Sequence, residues 1–336
     1  MKSYDKRSYR KIVFQSEALA LKTGSLAQTV RLASMSEEDL RFFGVTAANE
    51  RDIEKLWLIF GSWVRLFSKQ KDRTSRHSFR SYKTTLEVLL ESWQGQNLLR
   101  PSDNAGALWL LELQTKGNKP ATIENRLAGA RNFYKALRWT KATKSDPFQD
   151  LSAPSDPVPD WEKRKPYSPE EVDKLLETCS SEFDTLLVLL GAHGGLRVSE
   201  MCGLRWTDVL WQKKAVRVIG KGSKPATVQL SGRTVTALTA ARGVERRHHP
   251  TRDLSYIFSF ETHGARWRLR KLCQRSGVEY QEKAVHGLRH GAGTKYYAQT
   301  KDLGRVAAHL RHENIQTTRI YAKLADETVQ QDVKDW

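Results

Sequence analysis

Four of the chain's ten prolines fall between Ala153 and Tyr167, in the run APSDPVPDWEKRKPY. Proline fixes φ and offers no N–H, so neither a helix nor a strand ladder runs through such a stretch. The segment therefore divides the 336 residues into two folding blocks, each large enough to bury its own core. Formal charge is just as uneven. Residues 1–150 carry a net +10, residues 151–200 a net −5 and residues 201–300 a net +13, while residues 301–336 balance. Two basic blocks in a chain of net +18 point to a polyanion, DNA or RNA before a membrane surface. The longest apolar run, around Leu186–Leu190, is far short of the ~20 residues a membrane helix needs. The first 30 residues lack the apolar stretch of a secretory leader. No membrane partner is expected, and the expected location is cytoplasmic and DNA-associated. Cys179, Cys202 and Cys273 are too few and too scattered for a disulfide framework or a cysteine zinc site.

Before the proline-rich segment the apolar residues recur at helical steps. The spacing predicts helices over residues 50–69, 78–95 and 120–138. In the last of these, Ile123, Leu127, Ala130, Phe133, Tyr134 and Leu137 share one face, and Asn125, Arg126, Arg131 and Lys135 share the other. That polar face suits a nucleic-acid groove, but taken by itself the helix favours the reading of an ordinary solvated surface. The first 45 residues begin with a basic cluster (Lys2, Lys6, Arg7, Arg10, Lys11) and read as an extension, either a DNA-contacting arm or a frayed terminus. After the segment, Ser168, Pro169 and two glutamates open a helix over residues 168–179, and a second apolar helix runs from Phe183 to Ala192. The period then changes. Ala215–Ile219 and Thr227–Leu230 read as two strands joined by the glycine-rich turn GKGSKP, and helices resume from about residue 231.

Two kinds of phosphate chemistry find no support in the motifs. No carboxylate cluster with metal-ligand spacing stands in the second basic block, and no GxxxxGK[ST] loop occurs. The concentrated polar groups there are Arg197, Lys221, His286, Arg289, His290 and His312, followed closely by Tyr321. These suit attack on a phosphodiester. Forked guanidinium groups stabilise the charge of a pentacoordinate phosphorus. A histidine moves the proton of the nucleophile, a hairpin lysine protonates the leaving oxygen, and a tyrosine hydroxyl forms a covalent phosphotyrosine. Such an ester conserves the energy of the broken bond, so rejoining needs no nucleotide. Neither a cofactor nor a metal is called for.

The motifs GGLRVSEMCGL (residues 194–204), VIGKG (218–222), HGLRH (286–290) and HLRHENIQTTRIY (309–321) together resemble the catalytic domain of the tyrosine recombinases, the family of phage integrases. The resemblance implies Arg197, Lys221, His286, Arg289, His312 and Tyr321 as catalytic residues, with Glu200 and His290 supporting the site. It departs from the family at Arg311, where a glycine usually precedes the histidine. It covers residues 165–325 closely and residues 75–150 loosely, where PATIENRLAGARNFYKAL is similar to the characteristic helix of the core-binding domain. The implied fold is mainly α: a helical, SAM-like core-binding domain and a mixed α/β catalytic domain with a small antiparallel sheet, together a C-shaped clamp on DNA. The expected boundaries are a basic extension over 1–45, the core-binding domain over 46–152, the linker over 153–167, the catalytic domain over 168–322 and a tail over 323–336, a possible docking segment for a neighbouring protomer. The DNA-contacting candidates are Lys119, Thr122, Asn125, Arg126, Arg131, Lys135 and Lys224. The implied partners are double-stranded DNA bearing a recombination site and further copies of the chain in a tetramer with a dimer on each site; an accessory protein or second recombinase is the open alternative. The implied reaction passes through a 3′-phosphotyrosyl ester and a Holliday junction. Three other readings fit parts of the pattern: a type IB topoisomerase acting on one duplex, a catalytically silent DNA-binding protein, and an RNA-binding protein.

Overall fold

The computed structural model describes residues 26–71, 74–159, 162–163, 165–220, 225–244, 253–312 and 315–326. The chain forms two compact units that divide between Pro157 and Val158. Among the described residues no helix is long and apolar enough to cross a membrane.

The first unit is built of helices α1 (Leu26–Ala33), α2 (Glu37–Asn49), α3 (Ile53–Phe67), α4 (Arg76–Ser92), α5 (Ala105–Thr115) and α6 (Pro120–Trp139). Their starts follow from capping. The Ser36 side chain accepts from the Asp39 N–H, Asp52 from Glu54 and Lys55, and Ser75 from Ser78. One core joins Leu32, Leu40, Phe43, Ile59, Phe60, Leu86, Leu127, Phe133 and Leu137. The boundary expected at residue 45 therefore falls inside α2, and the described part of the supposed extension, from Leu26, is core-forming helix.

Helix α6 buries the face expected of it, including Ile123, Leu127, Ala130, Phe133, Tyr134 and Leu137. Lys119, Thr122, Asn125 and Lys135 are exposed and Arg126 is half-buried. Arg131 is half-buried and bonded within the chain. Its Nε donates to the Phe148 carbonyl at 2.9 Å, and one terminal nitrogen donates to the carbonyls of Gln149, at 3.3 Å, and of Leu151. Arg131 thus ties the segment after α6 to the helix through these carbonyls.

The second unit holds α7 (Pro169–Thr178), α8 (Glu182–Ala192), α9 (Val198–Gly203), β1 (Val209–Leu210), β2 (Ala215–Ile219), β3 (Pro225–Gln229), α10 (Gly232–Gly243), α11 (Thr262–Ser276), α12 (Ala284–Thr300), α13 (Leu303–Leu310) and α14 (Arg319–Asp326). The start of α7 is a full capping box. Ser168 Oγ accepts from the Glu171 N–H at 3.2 Å and the Glu171 carboxylate accepts from the Ser168 N–H at 2.9 Å. The sheet is antiparallel in the order β1-β2-β3, with Val209 opposite Val216 and Val216 opposite Val228. It has one strand more than expected, and β3 begins at Pro225 instead of Thr227.

The last part of the proline-rich segment belongs to this unit. The Lys165 N–H donates to Glu282 and the Tyr167 N–H to Gly287. Tyr167 is buried in the core with Leu187, Leu190 and Leu288. Two glycines of α12 make room for it. A Cβ at Gly291 would stand 2.6 Å from the Tyr167 carbonyl oxygen, and one at Gly287 would stand 3.0 Å from the Lys165 carbonyl oxygen.

Candidate active site

The site is assembled from four short stretches that the second unit brings together. The turn between α8 and α9 presents Arg197. Helix α12 carries His286, Arg289 and His290 on one face, because these residues are three and four positions apart. His312 follows the end of α13, and α14 carries Tyr321. His286, Arg289, His290, His312 and Tyr321 line one open cleft of about 390 Å³, together with Lys163, Gln316, Thr317 and Ile320. Lys221 and Lys224 lie outside the described residues.

The side chains are held by a small set of bonds. Arg289 is 2% exposed. It donates to the Gly195 carbonyl at 2.5 Å and to the Leu310 carbonyl. Gly195 has φ +59°, and a Cβ there would stand 2.5 Å from a Leu310 methyl, so the turn that offers this carbonyl needs glycine. Glu200, 3% exposed at its side chain, accepts from the Arg197 guanidinium and from the Arg197 backbone N–H, each at 2.8 Å. The same carboxylate accepts from Arg311, again at 2.8 Å. His312 Nδ1 pairs with Thr318 Oγ1 at 2.9 Å. The Tyr321 ring lies nearly parallel to that of His312 (centroids 6.3 Å, 17°) and close to His290 (5.9 Å). The rings of His286 and His290 approach edge to face at 4.6 Å.

Burial sets the protonation states. It pushes the Tyr321 hydroxyl up to about 12, with Arg289 and Arg197 pulling the other way, so the resting nucleophile candidate is a neutral phenol. Arg289 is lowered to about 10, by burial first and then by Arg197 and Arg311, and is still a cation at neutral pH. Burial raises the Glu200 pKa, but Arg311 first and then Arg197 outweigh it and hold the carboxylate below its usual range. His312 is lowered to about 4, by burial and then by Arg289 and Arg197, which makes it a neutral hydrogen-bonding imidazole.

The His312 shift has a consequence for stability. An unfolded chain binds this proton near pH 6.5, whereas the folded one resists it down to about 4. Between those values the unfolded state binds more protons, so this stabilisation is present above pH 6.5 and is lost as pH falls toward 4. The melting temperature of the wild type should fall more steeply from pH 6.5 to 4.5 than that of His312→Gln. Parallel Tm–pH curves for the two proteins would contradict the assignment.

Of the residues expected from sequence, Arg197, Glu200, His286, Arg289, His290, His312 and Tyr321 converge here. Lys163 and Thr318 were not anticipated. Thr318 stands three residues before Tyr321 and six after His312, a step that reads as a loop in sequence. Lys163 reaches the cleft from the proline-rich segment, and no motif spacing marks it.

Comparison with known proteins places this arrangement. Residues 167–328 match the phage integrase family and residues 63–141 match the phage integrase N-terminal SAM-like domain. The chain is 30% identical over 271 residues to the tyrosine recombinase XerC of Vibrio vulnificus (strain YJ016), covering 74% of this chain and 82% of that protein. The chain belongs to the tyrosine recombinases. A second relative, the tyrosine recombinase XerC of Xanthomonas campestris pv. campestris (strain B100), is 27% identical over 267 residues, which is 75% of this chain and 80% of that one. Among solved structures, the XerH site-specific recombinase bound to a palindromic difH substrate aligns with TM-score 0.66 at 16% identity, over 92% of this chain and 93% of that one. The Tn1549 transposon integrase in complex with a circular intermediate DNA aligns with TM-score 0.61 at 15% identity, over 79% of this chain and 94% of that one. At these identities the likeness is one of fold: two mainly helical domains of the tyrosine recombinase type, the second with a small antiparallel sheet. The chain is a tyrosine-type site-specific recombinase.

Proposed function

We propose that this recombinase cuts and rejoins double-stranded DNA at a specific site through a 3′-phosphotyrosyl ester. The observation that carries the reading is a buried tyrosine hydroxyl in the same cleft as a buried, charged arginine and three histidines. Tyr321 Oη attacks the scissile phosphorus as the bond from phosphorus to the 5′ oxygen breaks. With its pKa near 12, the phenol must lose its proton as attack proceeds, and His286 is the group assigned to receive it. Arg197 and Arg289 stabilise the charge that accumulates on the non-bridging oxygens. His312, a neutral donor, hydrogen-bonds one of those oxygens. Lys221 supplies the proton that leaves with the 5′ hydroxyl. Glu200 orients Arg197, and the His290 ring lies beside both His286 and Tyr321.

Attack on the ester by the 5′ hydroxyl of a partner strand reverses the step with strands exchanged. A first pair of strand exchanges forms a Holliday junction and a second pair resolves it, within a tetramer with one dimer on each site. In this reading the two units clamp the duplex, with Lys119, Thr122, Asn125, Arg126 and Lys135 of the first unit and Lys224 of the second near its backbone. Affinity then falls steeply with salt. A second recombinase or accessory protein is compatible with this scheme.

The test is covalent trapping. Wild type and Tyr321→Phe are incubated in EDTA with nicked suicide DNA carrying a site that both demonstrably bind, then run on denaturing gels. The expected result is a protein–DNA adduct from the wild type and none from Tyr321→Phe. An adduct that persists in Tyr321→Phe removes the nucleophile assignment. No adduct from the wild type on bound DNA moves the reading to a binding protein.

A further inference from the structure

Arg311 is the residue that departs from the family pattern, and two features make its position costly. Its backbone is left-handed (φ +57°, ψ +48°) at the end of α13, a conformation that a side chain with a Cβ resists. Its Nε is buried with no hydrogen-bond partner. A glycine would avoid both. What arginine adds is a contact to the carboxylate that orients Arg197: one terminal nitrogen of Arg311 donates to Glu200 at 2.8 Å and to the Gly195 carbonyl at 3.3 Å, and the other donates to the His309 carbonyl at 3.1 Å. Gly195 offers the same carbonyl to Arg289. One side chain therefore touches the supports of both arginines assigned to the phosphate.

We infer that Arg311 is a positioning residue for phosphoryl transfer, which fixes Glu200 and Gly195 and shares the charge of Glu200 so that Arg197 keeps its own. The inference rests on the function proposed above. With Arg197 and Arg289 alone around Glu200 the cluster would carry a formal +1, and Arg311 brings it to +2. A phosphodiester bears one negative charge, and its pentacoordinate state under attack by a phenolate bears about two. The extra cation thus favours the attacked state over the ground state, which is the condition for acceleration. Arg311 does this through Glu200: its side chain is 12% exposed, whereas that of Arg197 is 33% exposed and available to a phosphate.

The experiment compares wild type, Arg311→Gly and Arg311→Lys on nicked suicide DNA, with the dissociation constant and the single-turnover rate of adduct formation measured separately. Arg311→Gly relaxes the backbone, so a purely structural role predicts a protein that cleaves at the wild-type rate. The positioning role predicts DNA affinity within about threefold of wild type, adduct formation slowed by about 10²-fold, and partial recovery in Arg311→Lys, which restores the charge without the fork. Wild-type cleavage by Arg311→Gly overturns the inference. If Arg311→Gly does not fold, Arg311→Gln and Arg311→Lys are compared at equal folded fraction, and equal rates overturn it. If the wild type itself makes no adduct on DNA that it binds, the proposed function fails, and that result is distinct from either outcome for Arg311.

Discussion

Replacing Gly293 with alanine should abolish most covalent adduct formation while leaving a folded protein that binds DNA. In a helix interior this exchange ordinarily stabilises by about 1 kcal/mol. Gly293 lies within α12, and a Cβ there would stand 2.5 Å from Cζ and 2.6 Å from Cε1 of Tyr321, with a Leu310 methyl at 2.9 Å. Carbon atoms pack at about 3.5–4.0 Å, so the tyrosine ring must retreat by about 1 Å. The ring is 1% exposed and packed with Ala292, Val306 and Leu310, so the retreat displaces it from its seat beside the cleft. A displacement of that size at a nucleophile costs about 10²-fold in rate. The measurement is single-turnover adduct formation by Gly293→Ala beside a melting curve and a DNA-binding titration. Wild-type cleavage by a folded Gly293→Ala would show that Tyr321 leaves this position before it attacks.

The site was legible where chemistry-bearing residue types stand at fixed steps along the chain. His286, Arg289 and His290 share one helix, and Arg197 with Glu200 and His312 with Tyr321 are close neighbours along the chain, so sequence spacing maps onto geometry. The buried face of α6 was legible for the same reason, since six apolar residues repeat at three and four. Other features depend on contacts between distant segments. Arg131 on α6 reads alike whether it meets a phosphate or the carbonyls of Phe148 and Leu151. Lys163 becomes a cleft residue only because Tyr167 is seated against Gly287 and Gly291. Strand β1 is two residues long between single turns, too short to show any period. Helix α2 carried a readable start, Ser36 followed by Glu37, Glu38 and Asp39, which the basic cluster upstream overshadowed. The departure at Arg311 was visible in sequence, but its pairing with Glu200 was not, because 111 residues separate them.

Arg289→Lys should lower cleavage by about 10²–10³-fold, more than loss of a single positive charge at an exposed site would. The substitution preserves charge, so the expected loss is one of geometry. Arg289 is held between two carbonyls from different elements, Gly195 in the turn before α9 and Leu310 at the end of α13, and is 2% exposed. A planar guanidinium can satisfy both carbonyls and still direct N–H groups into the cleft that Tyr321 lines. A lysine ammonium on a flexible stem cannot reach both carbonyls and a phosphate at once. One buried carbonyl left unpaired costs about 1–3 kcal/mol, so Tm should fall as well. The charge environment sharpens the contrast. Arg197 and Arg311 both push Arg289 toward deprotonation, as burial does, and Glu200 opposes them. Arginine tolerates that pressure because its pKa begins so high, whereas a lysine placed there starts about two units lower. Arg289→Lys should therefore recover more of its activity than the wild type does as pH is lowered from 9 to 7, because the wild-type guanidinium is already mostly protonated at pH 9. A flat profile for Arg289→Lys would mean that geometry alone accounts for the loss. Wild-type cleavage by Arg289→Lys would remove Arg289 from the phosphate site altogether.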